Sequence, residues 1–390
     1  MRETETVSSR CRIALLGLGT VGSAVARRLT APDPGIVPRV QLTHIFDRRA
    51  GEKRAASCAP PCAPLCAPLC GDDITWTSSV DEVLQSDADV IVEAIGGVEP
   101  AAGWIRAALL AGKSVVTANK QVVARHGASL LTLAARQGRQ LRFEAAVGGA
   151  MPIVRAIGEG LAGDRITRLV AILNGTTNAV LSQMEATGCS LAAAVRDARA
   201  RGYAEADPST DLDGHDARAK LAILCALAFG LRVDPSHIDA RSSASIVAAD
   251  FARARQRGAT IRQIAFAEYD HAASQLTAWV APVEVDEASI FARTKGPQNA
   301  ALITGAHSGE TGIFGAGAGG DATAVAVLGD IAAIARDRSA IVPPPTLTSN
   351  FRFQTSDFRL QASDFRLETS DSGRETSDFK LESSVFVEAV

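Results

Sequence analysis

Arg12-Ile13-Ala14-Leu15-Leu16-Gly17-Leu18-Gly19-Thr20-Val21-Gly22 is an apolar strand that runs straight into three glycines, and a helical stretch through Val25, Ala26 and Leu29 follows. Glycines at that spacing allow a tight turn, close approach of backbone to a pyrophosphate, and close packing of helix on strand. Strand before and helix after are the context that such a motif needs. Working outward, a second strand, Val40-Gln41-Leu42-Thr43-His44-Ile45-Phe46, ends at Asp47. An acid there can hold the ribose hydroxyls of NAD, whereas Arg48 and Arg49 beside it can take the 2′-phosphate of NADP, so either dinucleotide fits. Further strands are read at 90–94, 114–117 and 140–143 with helical stretches between them, which makes a Rossmann-type doubly wound parallel sheet. Ligands of such sheets bind beyond the carboxyl ends of the strands. Gly96 and Gly97, and Thr117-Ala118-Asn119-Lys120, lie at such ends, which directs Thr117 and Lys120 to cofactor and substrate.

The whole chain supports more than this one domain. Its 390 residues are 47% hydrophobic, enough for two cored domains with extras. A net charge of −3 offers no basic footprint for nucleic acid and no attraction to anionic lipid. No basic-then-apolar leader and no apolar run of membrane-spanning length is read, so a cytoplasmic protein is expected. Four of the seven cysteines, Cys58, Cys62, Cys66 and Cys70, recur inside an Ala-Pro-rich run. The prolines exclude a helical metal face, and the spacing is unlike paired zinc ligands; 58–70 is read as a low-complexity insertion.

A second informative stretch runs from Gly202 to Lys220. It carries the carboxylates Glu205, Asp207, Asp211, Asp213 and Asp216 before ending on the lysine. Beyond Lys220 the chain turns apolar through Leu221, Ile223, Leu224, Leu227 and Phe229 until Gly230, a loop feeding a buried helix. Asp213 is placed as the N-cap with Asp216 three residues on, a capping-box arrangement, and Gly230 as the C-terminal stop. Asp216 and Lys220 are four apart and share one helix face. Capped helices with surface ion pairs are common, yet a lysine ringed by acids at the mouth of an apolar helix suits acid/base chemistry.

Taken together, these segments resemble the homoserine dehydrogenase family. The resemblance is carried by Gly17 to Gly22, Thr117-Ala118-Asn119-Lys120, Phe143-Glu144-Ala145-Ala146-Val147-Gly148-Gly149-Ala150-Met151-Pro152-Ile153, Ile172-Leu173-Asn174-Gly175-Thr176-Thr177-Asn178, the acidic run, and Gly315-Ala316-Gly317-Ala318-Gly319-Gly320. It implies reversible NAD(P)-dependent conversion of L-homoserine and L-aspartate 4-semialdehyde, on the way to threonine, methionine and isoleucine. It also implies Lys220 as proton donor, Asp216 as its orienting partner, and Glu205 and Asp211 as holders of the substrate ammonium. Lys120 would assist polarisation or bind the substrate carboxylate. Gly17, Leu18, Gly19, Thr20, Val21, Gly22, Asp47, Arg48, Gly96, Thr117, Gly317 and Gly319 would line the cofactor. Glu144, Val147, Gly149 and Met151 match the family's loop for a monovalent cation, sodium or potassium, where one carboxylate and backbone carbonyls offer hard oxygen ligands. A homodimer is the family expectation, with no nucleic-acid or membrane partner.

The resulting layout is an NAD(P)-binding domain at 10–150, an α+β substrate-binding and dimerisation domain at 151–312, and a segment at 313–340 that returns to the nucleotide domain. A tail follows at 341–390. In it Phe351, Phe358, Phe365, Phe379 and Phe386 recur every seven residues with Ser372 in the gap. Phe and Leu two apart, as in Phe358-Arg359-Leu360, suit a strand rather than a coiled coil, and the tail is read as low-complexity, disordered or weakly β-pairing. No C-terminal ACT domain is read, so threonine feedback through one is not expected. Two other readings use the same residues: an inert nucleotide-binding protein, and a dehydrogenase for another small amino or hydroxy substrate. The full set Lys120, Glu205, Asp211, Asp216 and Lys220 weighs against the first.

Overall fold

The computed structural model describes residues 10–31, 40–58, 69, 73–205, 207–354 and 358. These form two units, one built from the chain up to Ala150 together with Gly319–Pro345, the other from Met151–Ala318 with the residues from Thr346 onward.

In the first unit, six parallel strands take the order β3-β2-β1-β4-β5-β6. They are β1 (Cys11–Leu16), β2 (Val40–Phe46), β3 (Thr75–Thr77), β4 (Val90–Glu93), β5 (Ser114–Thr117) and β6 (Leu141–Arg142). This is the dinucleotide-binding order, with the switch point between β1 and β4 where the chain reverses direction across the sheet. Ile13, Leu15, Val90, Val92 and Val116 pack with Val25 of the first helix and with Val327 and Ile331 of the returning Gly320–Arg336 helix. Strands buried on both faces explain the nearly continuous apolar runs. The strand that sequence reading missed is β3, three residues long and lying just beyond the cysteine-rich insertion. Cys62, Cys66 and Cys70 lie outside the described residues, and Cys58 closes the Ala50–Cys58 helix.

The second unit is a seven-stranded sheet in the order β12-β11-β7-β9-β10-β13, with β8 also on β10. Its strands are β7 (Ile166–Ile172), β8 (Asp239–Ala240), β9 (Ala259–Asp270), β10 (Gln275–Asp286), β11 (Gln298–Gly305), β12 (Gly309–Ala316) and β13 (Arg352–Phe353). One face buries Ile264, Phe266, Trp279, Val283 and Leu302. On the other, Ile261 of β9 packs with Val180, Leu181 and Met184 of the Gly175–Thr187 helix and with Phe251 and Ala254 of the Ala248–Gln256 helix.

Two boundaries differ from the sequence reading. The chain returns to the first unit at Gly319 rather than at 313, because Gly309–Ala316 is spent on β12. The start of the tail follows the β-pairing alternative and not the disordered one. Thr348 pairs with the Gly230 and Arg232 backbone at 2.8 and 2.9 Å, β13 runs parallel to β10, and Phe358 sits beside Trp279 under the Arg241 guanidinium. A short strand on the edge of a sheet needs little periodicity of its own, since the partner backbone dictates it. The remaining Phe repeats lie outside the described residues.

Candidate active site

The glycine loop separates three roles for its glycines. Gly17 has φ +94°, and a Cβ there would lie 2.9 Å from the Ala94 carbonyl. A Cβ on Gly22 would collide with the Gly17 carbonyl oxygen, whereas one on Gly19 would meet nothing within 4 Å. So Gly17 and Gly22 are required by the protein itself, and Gly19 leaves open the space that an incoming pyrophosphate would use. Thr20 opens the Thr20–Leu29 helix, whose N-terminal amides suit an anion.

Beside the loop lies a cavity of about 500 Å³ lined by Gly17, Leu18, Gly19, Phe46, Asp47, Arg48, Arg49, Lys53, Ala94 and Ile95. Asp47 faces inward to the protein: its carboxylate accepts from the Leu18 amide at 3.1 Å, the Arg49 amide at 3.0 Å and Lys53 Nζ at 2.5 Å. Lys53 also donates to the Leu18 carbonyl at 2.9 Å. Partial burial pushes the Asp47 carboxyl up, but the Lys53 bond and the two amides outweigh it and hold the group below the ordinary carboxylate range. Lys53 went unnoticed in the sequence; it lies one turn into the helix after Asp47, where no motif marks it.

Glu93 is the second residue that sequence reading passed over. It closes β4, is fully buried, and its carboxylate accepts from the Ile95 and Gly96 amides at 2.8 and 3.3 Å and from Thr117 Oγ1 at 2.5 Å. Asn119 Nδ2 reaches it at 3.5 Å and the Gly97 carbonyl at 2.6 Å. One carboxylate thus shapes both strand-end loops, those of Gly96 and of Thr117. A charge closing an apolar strand was the available signal. Lys120 follows at the start of the Lys120–Arg136 helix, which Asn119 caps by accepting from Val122 N.

In the second unit, the Lys220 side chain is 12% exposed and donates to Asp216 Oδ2 at 2.9 Å and to the Leu173 carbonyl at 2.8 Å. Asp216 is 3% exposed. Asn174 Nδ2 donates to the same Asp216 Oδ2 at 2.9 Å and to Asp211 Oδ1 at 2.7 Å, while Asn174 Oδ1 accepts from Thr177 N and caps the Gly175–Thr187 helix. Asp211, Asp216 and Lys220 are therefore one hydrogen-bonded cluster, as the acidic run suggested, with Asn174 as an unforeseen member. Glu205 is exposed, and its backbone carbonyl accepts from Arg199 Nε.

The expected capping box does not form. The helix is His215–Phe229, with Gly214 at φ +76° as its N-cap, and Asp213 instead accepts from Ser242 Oγ at 2.5 Å. A left-handed residue between Asp213 and the first turn turns the aspartate away from the helix amides. Gly230 does end the helix, at φ +67°. Asp207 makes an Asx turn to Ser209 N.

The late glycines divide between the units. Gly317 packs so tightly on the Asn299 side chain that no Cβ fits, a protein-internal reason for glycine there; Gly319 has φ +108° and open space, and a Cβ on Gly320 would touch Thr20. In the 144–151 loop, Glu144 is buried, and its backbone amide donates to Asp330 Oδ2 at 2.9 Å. Gly149 has φ +60°, Val147 donates to the Glu144 carbonyl, and the Met151 carbonyl accepts from Ile153 N. No cluster of three His, Cys, Asp or Glu side chains suited to a metal exists among the described residues.

A dinucleotide fold with a pyrophosphate loop and a separate lysine–carboxylate cluster defines an NAD(P)-dependent oxidoreductase. Comparison with known proteins narrows the class: residues 17–144 match the profile described as homoserine dehydrogenase, NAD binding domain, and 152–332 that of homoserine dehydrogenase. Homoserine dehydrogenase of Mycobacterium tuberculosis is 39% identical over 329 residues, 84% of this chain and 72% of that one. The crystal structure of a homoserine dehydrogenase from Thiobacillus denitrificans superposes with a TM-score of 0.79 at 31% identity, covering 90% of this chain and 81% of that one. A hyperthermophilic archaeal homoserine dehydrogenase in complex with NADPH gives 0.68 at 26%, covering 85% and 99%. The chain belongs to the homoserine dehydrogenase family. No helix among the described residues is long and apolar enough to cross a membrane.

Proposed function

We propose that this chain interconverts L-homoserine and L-aspartate 4-semialdehyde with NADP(H) as the preferred cofactor, and that Lys220 carries the proton. The observation that supports this most is the Asp211–Asn174–Asp216–Lys220 cluster. A lysine ammonium has three N–H groups; Asp216 and the Leu173 carbonyl take two. The third is available for a substrate oxygen. When bound, the nicotinamide supplies or accepts the hydride. In the reducing direction Lys220 donates its proton to the alkoxide that develops at the aldehyde oxygen, and in the reverse direction it takes the hydroxyl proton. Asp216 holds the ammonium in place. Asp211 and Glu205 pair with the substrate ammonium, and Lys120 with its carboxylate.

For the cofactor, Asp47 is committed to Leu18 and Lys53, which removes the usual reason to prefer a ribose with two free hydroxyls. Arg48, Arg49 and Lys53 then give the cavity rim a surplus of positive charge suited to a 2′-phosphate. Replacing Arg48 and Arg49 together by alanine should raise KM for NADP about 10- to 100-fold, the loss of one or two charged hydrogen bonds, with KM for NAD little changed. Equal effects on both would remove the arginines from 2′-phosphate recognition.

The same proposal includes occupation of the Glu144, Val147, Gly149 and Met151 set by a monovalent cation, for which a buried carboxylate and carbonyls are suitable donors. It also includes a homodimer and a cytoplasmic setting. The direct test is purified protein mixed with L-homoserine and NADP or NAD, followed by absorbance of the reduced cofactor. Absence of turnover with both would overturn the reading.

A further inference from the structure

Asn174 lies at the junction where β7 hands over to the Gly175–Thr187 helix, and it is 4% exposed. Its amide is fully used. The oxygen accepts from Thr177 N at 2.7 Å, and the nitrogen serves two carboxylates, Asp211 at 2.7 Å and Asp216 at 2.9 Å. That network fixes which end of the amide is which, because a flipped side chain would aim its oxygen at two anions and its nitrogen at a backbone donor. The neighbouring carbonyl, that of Leu173, holds Lys220 and also lies 3.4 Å from Asn299 Nδ2. Two successive residues therefore hold the lysine and its counter-ion.

A helix cap needs only the side-chain oxygen, and serine or aspartate would serve as well. Nothing in capping calls for the two N–H groups. What they do is bring two like charges, on separate elements, to one donor: Asp211 belongs to the Ser209–Leu212 turn and Asp216 to the His215–Phe229 helix. A donor shared by a buried carboxylate, Asp216, and a half-buried one, Asp211, is electrostatically strong, and its loss takes one charged hydrogen bond from each.

We propose that Asn174 is a positioning residue that links the carboxylate receiving the substrate ammonium, Asp211, to the Asp216–Lys220 proton-transfer pair. This rests on the catalytic reading given above. Pairing of the ammonium with Asp211 draws on the same amide that steadies Asp216, so docking of the amino end of the substrate is sensed at Lys220 through one side chain.

The test is Asn174→Ser, which keeps the cap oxygen and removes both N–H groups. Expected is a fall in kcat of about 10- to 100-fold and a rise in KM for L-homoserine of about tenfold, from the loss of hydrogen bonds to two charged groups. NADP(H) affinity by fluorescence titration should stay near wild type, while the melting temperature falls by a few degrees from the lost hydrogen bonds. In the Asp211→Asn background the added KM effect should disappear, since the linked carboxylate is gone. Unchanged kcat and KM, a purely additive double variant, or a loss confined to melting temperature would overturn the proposal and leave Asn174 as a cap. Lys220→Met measured alongside separates the two levels: turnover surviving in that variant sinks the catalytic reading itself, and with it this proposal.

Discussion

Lys220→Met lowers kcat by at least about a thousandfold while NADP(H) still binds; this is the expected result if the lysine moves the proton. General acid–base groups contribute about 10²- to 10⁴-fold, and the upper half of that range applies because Asp216 and the Leu173 carbonyl hold the Lys220 ammonium in one place. Methionine approximates the length of the side chain but leaves Asp216, 3% exposed, without its ion pair, and loss of one partner of a buried pair destabilises the fold. Lys220→Arg guards against that ambiguity. It keeps the positive charge beside Asp216, yet a guanidinium does not give up a proton in the working pH range. Both variants should therefore be inactive, the arginine variant with a melting temperature closer to wild type. Turnover within tenfold of wild type in either would exclude Lys220 as the proton carrier.

Gly22→Ala is expected to do comparable damage by another route. The added methyl would overlap the Gly17 carbonyl oxygen, and neither end of that contact is a flexible side chain, so strand and helix must separate. Overpacking of a rigid contact costs about 3 kcal/mol or more, enough to lower the melting temperature by several degrees and reduce soluble yield. Gly19→Ala is the matched control. Nothing lies within 4 Å of its Cβ position and its φ of −83° is open to alanine, so the fold should survive while NADP(H) affinity falls about 100-fold or more. If Gly22→Ala melts like wild type, or Gly19→Ala binds cofactor normally, the division of labour among these glycines is wrong.

The first unit was legible in the sequence because its strands are buried on both faces and its loops carry glycines whose need is local. Val40–Phe46 and Ser114–Thr117 were bounded correctly from pattern alone. What escaped was the side chains that act across long sequence separations. Glu93 and Thr117 become partners only when β4 and β5 are laid side by side; Asp47 and Lys53, six residues apart, meet only through the turn into the Ala50–Cys58 helix. The acidic run gave Asp211, Asp216 and Lys220, for they are close in sequence, but their connector Asn174 lies 42 residues from Asp216 and nothing local marks its amide. The capping box failed for a backbone reason, the left-handed Gly214, which a pattern of residue types does not record. At β13 the two-residue spacing of the tail hinted at a strand, but only β10 decides where the pairing falls.

The Leu173 carbonyl that receives Lys220 comes directly after the last residue of β7, and its position is set by pairing on both sides: Ala171 opposite Ala265 of β9, Ile172 opposite Ala300 of β11. A slip of one residue along either ladder would reverse the direction of that carbonyl and put a different side chain where Asn174 stands. The alanines of the sheet interior thus act as a gauge block for Lys220. Substitutions there are to be judged by alignment as much as by packing, and a chain with full helix and sheet content can still be out of register and inert.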